Sequence, residues 1–232
     1  MGRLNLISPV FRVQELHRAV GTARLVPTAL AWSFAREFIV VVNSLQSPLP
    51  CSESCRDMEW TRLTEPALRH VLAVDPALTE REIRRRLAES QRCHLCWVRG
   101  ELAHLRWETC AEAYLPYLGR SFRPMGGDVL ITEAYTCPRF RNQNIHTISS
   151  FHAMDQARGN GFQRLIGLAA CWNTPALSAM RKAGRFPVGT VGYQIGLRGR
   201  SYFTTGSVQF DGGGNLYIAS RFPCLNGIEP LL

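Results

Sequence analysis

The run Tyr135-Thr-Cys-Pro-Arg-Phe-Arg-Asn-Gln-Asn-Ile-His146 gathers the residue types that capture an anion. A strand-forming stretch, Val129 to Thr136, leads through Pro138 and a polar turn into a helix predicted from His146 to Ala157. The first turn of a helix offers N–H groups with no intrahelical acceptor and about half a positive charge. With Arg139 and Arg141 beside it, an oxyanion, and phosphate above all, is the expected ligand. Asn142 and Asn144 can hold a tight turn there, because Asn is the non-glycine residue most tolerant of positive φ. Just upstream, strand alternation predicts that Glu133 shares a face with Val129, Ile131 and Tyr135. A carboxylate partly buried among apolar neighbours has its pKa raised, as suits a general base, whereas a rim salt bridge with a nearby arginine would give it a structural role.

Cysteine offers less. Cys51/Cys55 and Cys93/Cys96 have metal-ligand spacings, and His94 lies inside the second pair. The second pair falls in an expected hairpin, Cys93–Val98 and Leu102–Trp107 around Arg99-Gly100-Glu101, where residues three apart face opposite sides. Such a pair cannot chelate one ion, so buried thiols and no metal are expected. Cys137 has no histidine placed by sequence to activate it, and His104 and Trp107 read as structural residues of the hairpin or as residues facing an acceptor.

Around these residues the elements follow from punctuation and period. Residues 10–35 read as a modestly amphipathic helix and Phe38 to Val42 as a buried strand, with a turn-rich loop from Ser47 to Asp57. A division is placed there: residues 1–50 form a helical extension with a strand, packed on a main domain of residues 51–232. Met58 to Leu63 is a strand, Thr64-Glu65-Pro66 begins a helix, and Thr79 with Glu82 makes a capping box for another. Arg84, Arg85 and Arg86 on that helix spread over about 200° and read as a solvated face. Leu165 to Trp172 is apolar on both faces, as in a covered parallel strand, and Asn173 caps a helix that Gly184 ends. The remainder reads as antiparallel strands. The fold class is α/β (α+β): a mixed, mostly antiparallel sheet with one central right-handed βαβ crossover and helices on both faces.

Pro-x-x-Arg-x-x-x-Ile between strand and helix resembles the pyrophosphate loop of the GNAT acyltransferase superfamily, usually Arg-Gly-x-Gly-x-Gly/Ala. Here the run is Arg141-Asn142-Gln143-Asn144-Ile145-His146, with Asn for both leading glycines and His146 for the small residue. The helix after the next parallel strand resembles the family too: Asn173, Ala176, Lys182 and Gly184 match, while Met180 replaces the frequent Tyr and Arg185-Phe186 follows. The resemblance covers about residues 57–200. It implies acetyl-CoA or another acyl-CoA as donor substrate, with the pantetheine arm between splayed parallel strands beside Tyr135 and Thr136. The diphosphate would rest on N–H groups from Arg141 to Thr147, spanning Asn142, Gln143, Asn144, Ile145 and His146, with Arg139 beside them and Asn173 on the arm. It implies N-acyl transfer by direct attack of an amine, with Glu133 as base, no acid at Met180, and His146 either crowding the diphosphate or donating to it.

Basic residues number 27 against 18 acidic, a net charge of +9, and all but Lys182 of the basic ones are Arg. A phosphorylated partner or codon usage accounts for that excess equally well. A hydrophobic share of 46% excludes a disordered chain, and the longest apolar stretch, Leu25 to Val42, is broken by Arg36 and Glu37 and is no membrane span. With no signal peptide evident, a reducing, cytoplasmic setting is expected. The expected partner is a small-molecule or peptide amine, with a homodimer left open; nucleic acid is disfavoured because basic and aromatic residues do not interleave. The competing readings are a GNAT-like ligand-binding protein that has lost catalysis and a basic nucleic-acid or membrane-surface binder.

Overall fold

β-Branched runs and punctuated helices settle into two sheets. The computed structural model describes residues 16, 20–46, 57–75 and 77–219. In chain order the elements are α1 (Thr22–Phe34), β1 (Ala35–Ser44), β2 (Met58–Arg62), a 3-10 turn (Glu65–Ala67), α2 (Leu68–Val74), α3 (Glu80–Ala88), β3 (Arg92–Val98) and β4 (Glu101–Thr109). Then come β5 (Ala113–Leu115), β6 (Arg120–Phe122), β7 (Asp128–Thr136), a second 3-10 turn (Pro138–Phe140) and α4 (Ile145–Gly159). The chain continues through β8 (Arg164–Ala170), α5 (Thr174–Lys182), β9 (Phe186–Gly196), β10 (Gly199–Thr204), β11 (Val208–Phe210) and β12 (Leu216–Ile218). The expected N-terminal helix is described from Thr22; Phe11, Val13, most of the 47–57 loop, Cys51 and Cys55 lie outside the described residues. No helix among the described residues is long and apolar enough to cross a membrane.

The large sheet runs β10-β9-β1-β8-β7-β4-β3-β2, and a small sheet runs β11-β12-β6-β5. In the large sheet β7 and β8 are the parallel neighbours and all other pairs are antiparallel. β1 is hydrogen-bonded to β8 on one edge and β9 on the other, so the segment before residue 50 supplies an interior strand of this sheet. α4 and α5 pack on one face, α4 setting Ala153 and Met154 against Val129, Ile131 and Leu165, and α5 setting Met180 against Val41 and Ala169. α2 and α3 cover the other face with Val71, Ile83, Leu95, Leu105 and Trp107, beside the small sheet, which closes over Leu130, Ile166 and Val191.

Two features of β7 shape the site. At its start Asp128, almost fully buried, takes a fork of two bonds from Arg164 of β8, Nε–Oδ1 2.6 Å and Nη2–Oδ2 2.8 Å. This clamps the parallel pair at one end. Pairing then runs only from Asp128↔Arg164 to Ile131↔Gly167, although β7 continues to Thr136 and β8 to Ala170. Beyond Ile131 the two strands part. A bulge at Thr132, where the β4 register jumps from Glu108↔Ile131 to Trp107↔Glu133, bends β7 away at that point.

Candidate active site

The bulge also turns the side chains over. Ile131 and Ala134 face α4, whereas Tyr135 packs with Trp107 and Leu105 on the α2/α3 face, and Glu133 stands opposite Trp107. Glu133 and Tyr135 therefore share a face, but Val129 and Ile131 lie on the other, correcting the simple alternation. Glu133 is half-buried and accepts from Arg86 Nη1 at 2.5 Å. Arg86 in turn reaches Glu82 at 2.9 Å and lies over the Trp107 ring at 5.2 Å. The three arginines of α3 are therefore not one solvated face: Arg84 and Arg85 pair with Glu65, Glu80, Glu82 and Glu89, and Arg86 turns inward to the site. The salt bridge weighed for Glu133 in the sequence exists, with a partner from outside β7 that no local spacing pointed to. The Tyr117 phenol lies in the field of the same pair; burial, then the charge of Glu133, pushes its pKa up, against the opposing pull of Arg86.

At the far end of β7 the loop forms as its asparagines demand. Asn142 and Asn144 have φ of 63° and 58°, the left-handed conformation, and both are exposed. Asn144 is the N-cap of α4, yet no side chain caps this helix. α3 and α5, by contrast, are capped by Thr79, which accepts from Glu82 N at 3.2 Å, and by Asn173, which accepts from Ala176 N at 3.2 Å. The first intrahelical bond of α4, Ile148 N to Asn144 O, is 3.0 Å, so the N–H groups of Ile145, His146 and Thr147 precede the ladder. They form a positive mouth at the open end of the β7/β8 gap. Gln143 braces the loop by donating to Arg139 O at 3.3 Å. Arg141 donates from Nε to Thr136 O at 3.1 Å, with its guanidinium 5.7 Å from the Tyr135 ring centroid. Arg139 is exposed and paired with Glu101 of the β3–β4 hairpin.

His146 lies inward. Its ring meets His104 edge-on at 5.8 Å and lies near enough to Arg185 and Arg106 to feel their charge; burial first, then these cations, push it down to about 4. Under α4 it joins a polar seam. His104 is fully buried, with Nδ1 2.8 Å from Thr136 Oγ1 and no partner on Nε2. Arg106 donates to Ser149 O at 2.8 Å and Gln156 Oε1 at 3.1 Å and pairs with Glu108 at 3.3 Å. Glu108 is also 3.0 Å from His94 Nε2, and His152 stacks on Trp60 at 4.2 Å. Cys93 packs on the α2/α3 face and Cys96 on the α4 face, so the pair is divided by the sheet. Asn173, half-buried, caps α5 at the end of β8, across the gap from Thr136.

A scan against family models matches none, and a search among curated proteins finds no match. Solved structures do match. A GCN5-related N-acetyltransferase from Sphaerobacter thermophilus aligns with TM-score 0.52 and 13% identity over 72% of this chain and 54% of its own. A protein from Novosphingobium aromaticivorans assigned to the GNAT family of acetyltransferases aligns with TM-score 0.51 and 12% identity, over 68% of this chain and 62% of its own. The chain thus spans between half and two thirds of the length of these neighbours. At such identity the likeness speaks for architecture, and the mixed sheet with its splayed parallel pair has the fold of the GNAT acyltransferases.

Proposed function

We propose that this protein is an N-acyltransferase that moves an acetyl or longer acyl group from acyl-coenzyme A to an amine of a small molecule or peptide. One observation carries the reading: a gap between parallel strands β7 and β8 runs into an uncapped helix N-terminus held open by two left-handed asparagines. N–H groups of Arg141 to Thr147 would hold the diphosphate, while the β7 backbone at Tyr135 and Thr136 and the side chain of Asn173 would line the pantetheine arm. Arg139, exposed and paired only at the surface, can exchange Glu101 for a phosphate. His146, drawn under the helix toward His104, leaves the mouth of the loop to its backbone.

With the diphosphate on the α4 side, the acceptor amine approaches from the α2/α3 face, where the bulge points Glu133. The amine attacks the thioester carbon, and its proton passes to Glu133, oriented by Arg86, or to water. Coenzyme A as donor makes the reducing cytoplasm the fitting compartment. A thiol-release assay over a panel of acyl-coenzyme A donors and amines tests the reaction. Turnover with at least one pair is expected, and Glu133→Gln should lower kcat about 100-fold or more; unchanged turnover in that variant removes Glu133 as base. Donor binding with no turnover on any amine leaves a ligand-binding protein.

A further inference from the structure

Arg185 follows Gly184, whose φ of 74° ends α5, and it leads into β9. Its side chain turns inward and is only 5% exposed, while the neighbouring Phe186 is half-buried. The guanidinium lies against Gly167 of β8, where any Cβ would collide with Nη1, and the Met180 methyl borders the same spot. Its hydrogen bonding is poor for a buried cation. Nη2 donates to Ser150 Oγ of α4 at 3.4 Å, and Nε has no partner. Among the described residues no carboxylate lies within ion-pair distance, whereas Arg86, Arg106 and Arg164 each reach one. The charged and titratable groups facing it are Arg106 of β4 and His146 of α4, neither of them acidic; burial and then Arg106 push Arg185 down to about 9. A buried charge without a counter-charge is strongly unfavourable, so this position calls for an anion that the described residues do not supply.

The place identifies the anion. Gly167 and Ile131 form the last rung before β7 and β8 part, so Arg185 stands at the apex of the gap. The diphosphate mouth is at the open end, past Thr136, and five residues of strand from there back to Ile131 span about 17 Å. An extended donor arm anchored at α4 and running back along β7 delivers its reactive end to the apex. Resting on the acyl-coenzyme A reading, we propose that Arg185 is a catalytic residue that holds the negative charge developing on the coenzyme A sulfur. As the amine nitrogen bonds to the carbonyl carbon, the C–S bond breaks and its electron pair goes to sulfur, while the amine proton leaves to Glu133 or water. Arg185 keeps its proton and supplies the compensating charge, beside Met180, which has no proton to give.

The test needs no acceptor. Coenzyme A bound to the full chain is titrated with pH while the ultraviolet absorbance of its thiolate is followed, in wild type, Arg185→Met and Arg185→Lys; desulfo-coenzyme A serves as the sulfur-free control. Wild type should hold the bound thiol at least one pK unit below free coenzyme A, a tenfold preference for thiolate. Arg185→Met should lose that preference, and all three proteins should bind desulfo-coenzyme A alike. If Arg185→Met does not fold, Arg185→Lys decides: it keeps the charge and the depressed thiol. A bound thiol that titrates as in free coenzyme A, or identically in wild type and Arg185→Met, overturns the proposal. Failure of wild type to bind coenzyme A at all overturns the acyl-coenzyme A reading, and this inference with it.

Discussion

The two left-handed asparagines make the loop testable by backbone rather than side chain. At φ of 63° and 58°, Asn142 and Asn144 occupy a region that costs an ordinary L-residue about 1–2 kcal/mol and glycine nothing. Asn142→Ala or Asn144→Ala should let the free loop relax out of this conformation, and the donor must then restore it on binding. Each exchange should therefore weaken acetyl-coenzyme A roughly 5- to 30-fold, at about 1.4 kcal/mol per factor of ten. Asn142→Gly and Asn144→Gly should bind as wild type or better. Both positions are exposed, so the fold should be unaffected, which a thermal melt verifies. Titration calorimetry of the four variants reads the affinities. Alanine variants that bind as tightly as wild type would refute the claim that this turn presents the N–H groups; equal losses with alanine and glycine would shift the role to the Asn side chains.

Acidification should destabilise the protein in two stages. Burial, then nearby cations, hold His146 and His152 down to about 4, so between pH 6.5 and 4 the unfolded chain binds more protons and stability falls. The loss is at most about 3 kcal/mol per ring, and denaturant melts against pH should show His152→Gln flattening this segment. Burial opposes ionisation of Glu108, but the His94 bond and the Arg106 charge outweigh it and hold it near 2; its contribution is complete above the unfolded carboxyl pKa and is lost between about pH 4.3 and 2. A stability that is flat from pH 6.5 to 4 contradicts the histidine assignment. Asp128→Asn, which breaks the buried clamp with Arg164, should cost about 3–5 kcal/mol in urea unfolding; a cost below about 1 kcal/mol means that the clamp does not hold the parallel pair.

Local signals carried much of the fold. Alternation and turn residues marked β3 and β4, whose Arg99-Gly100 turn has both residues at positive φ, and Thr79 and Asn173 each cap the helix predicted for them. The polar run after β7 foretold the loop, because asparagine is one of few side chains that tolerate its backbone. What local reading missed are long-range events. A one-residue bulge at Thr132 moved Glu133 to the opposite face, and no spacing within β7 announces it. Arg86 looked like one of three solvated arginines, since only the docking of α3 shows which one meets Glu133, 47 residues away. Arg185 left only a faint signal, a lone charge between the helix-ending Gly184 and Phe186. The interior place of β1 depends on pairing with β8 and β9, more than a hundred residues downstream.

In the proposed reaction the β7/β8 gap and the α4 N-terminus together bind acyl-coenzyme A. Calorimetric titration of the full chain with acetyl-coenzyme A and longer acyl-coenzyme A donors measures that binding. Saturable binding in the micromolar range, weakened by Asn144→Ala, is the predicted result; no heat of binding up to millimolar donor would contradict it.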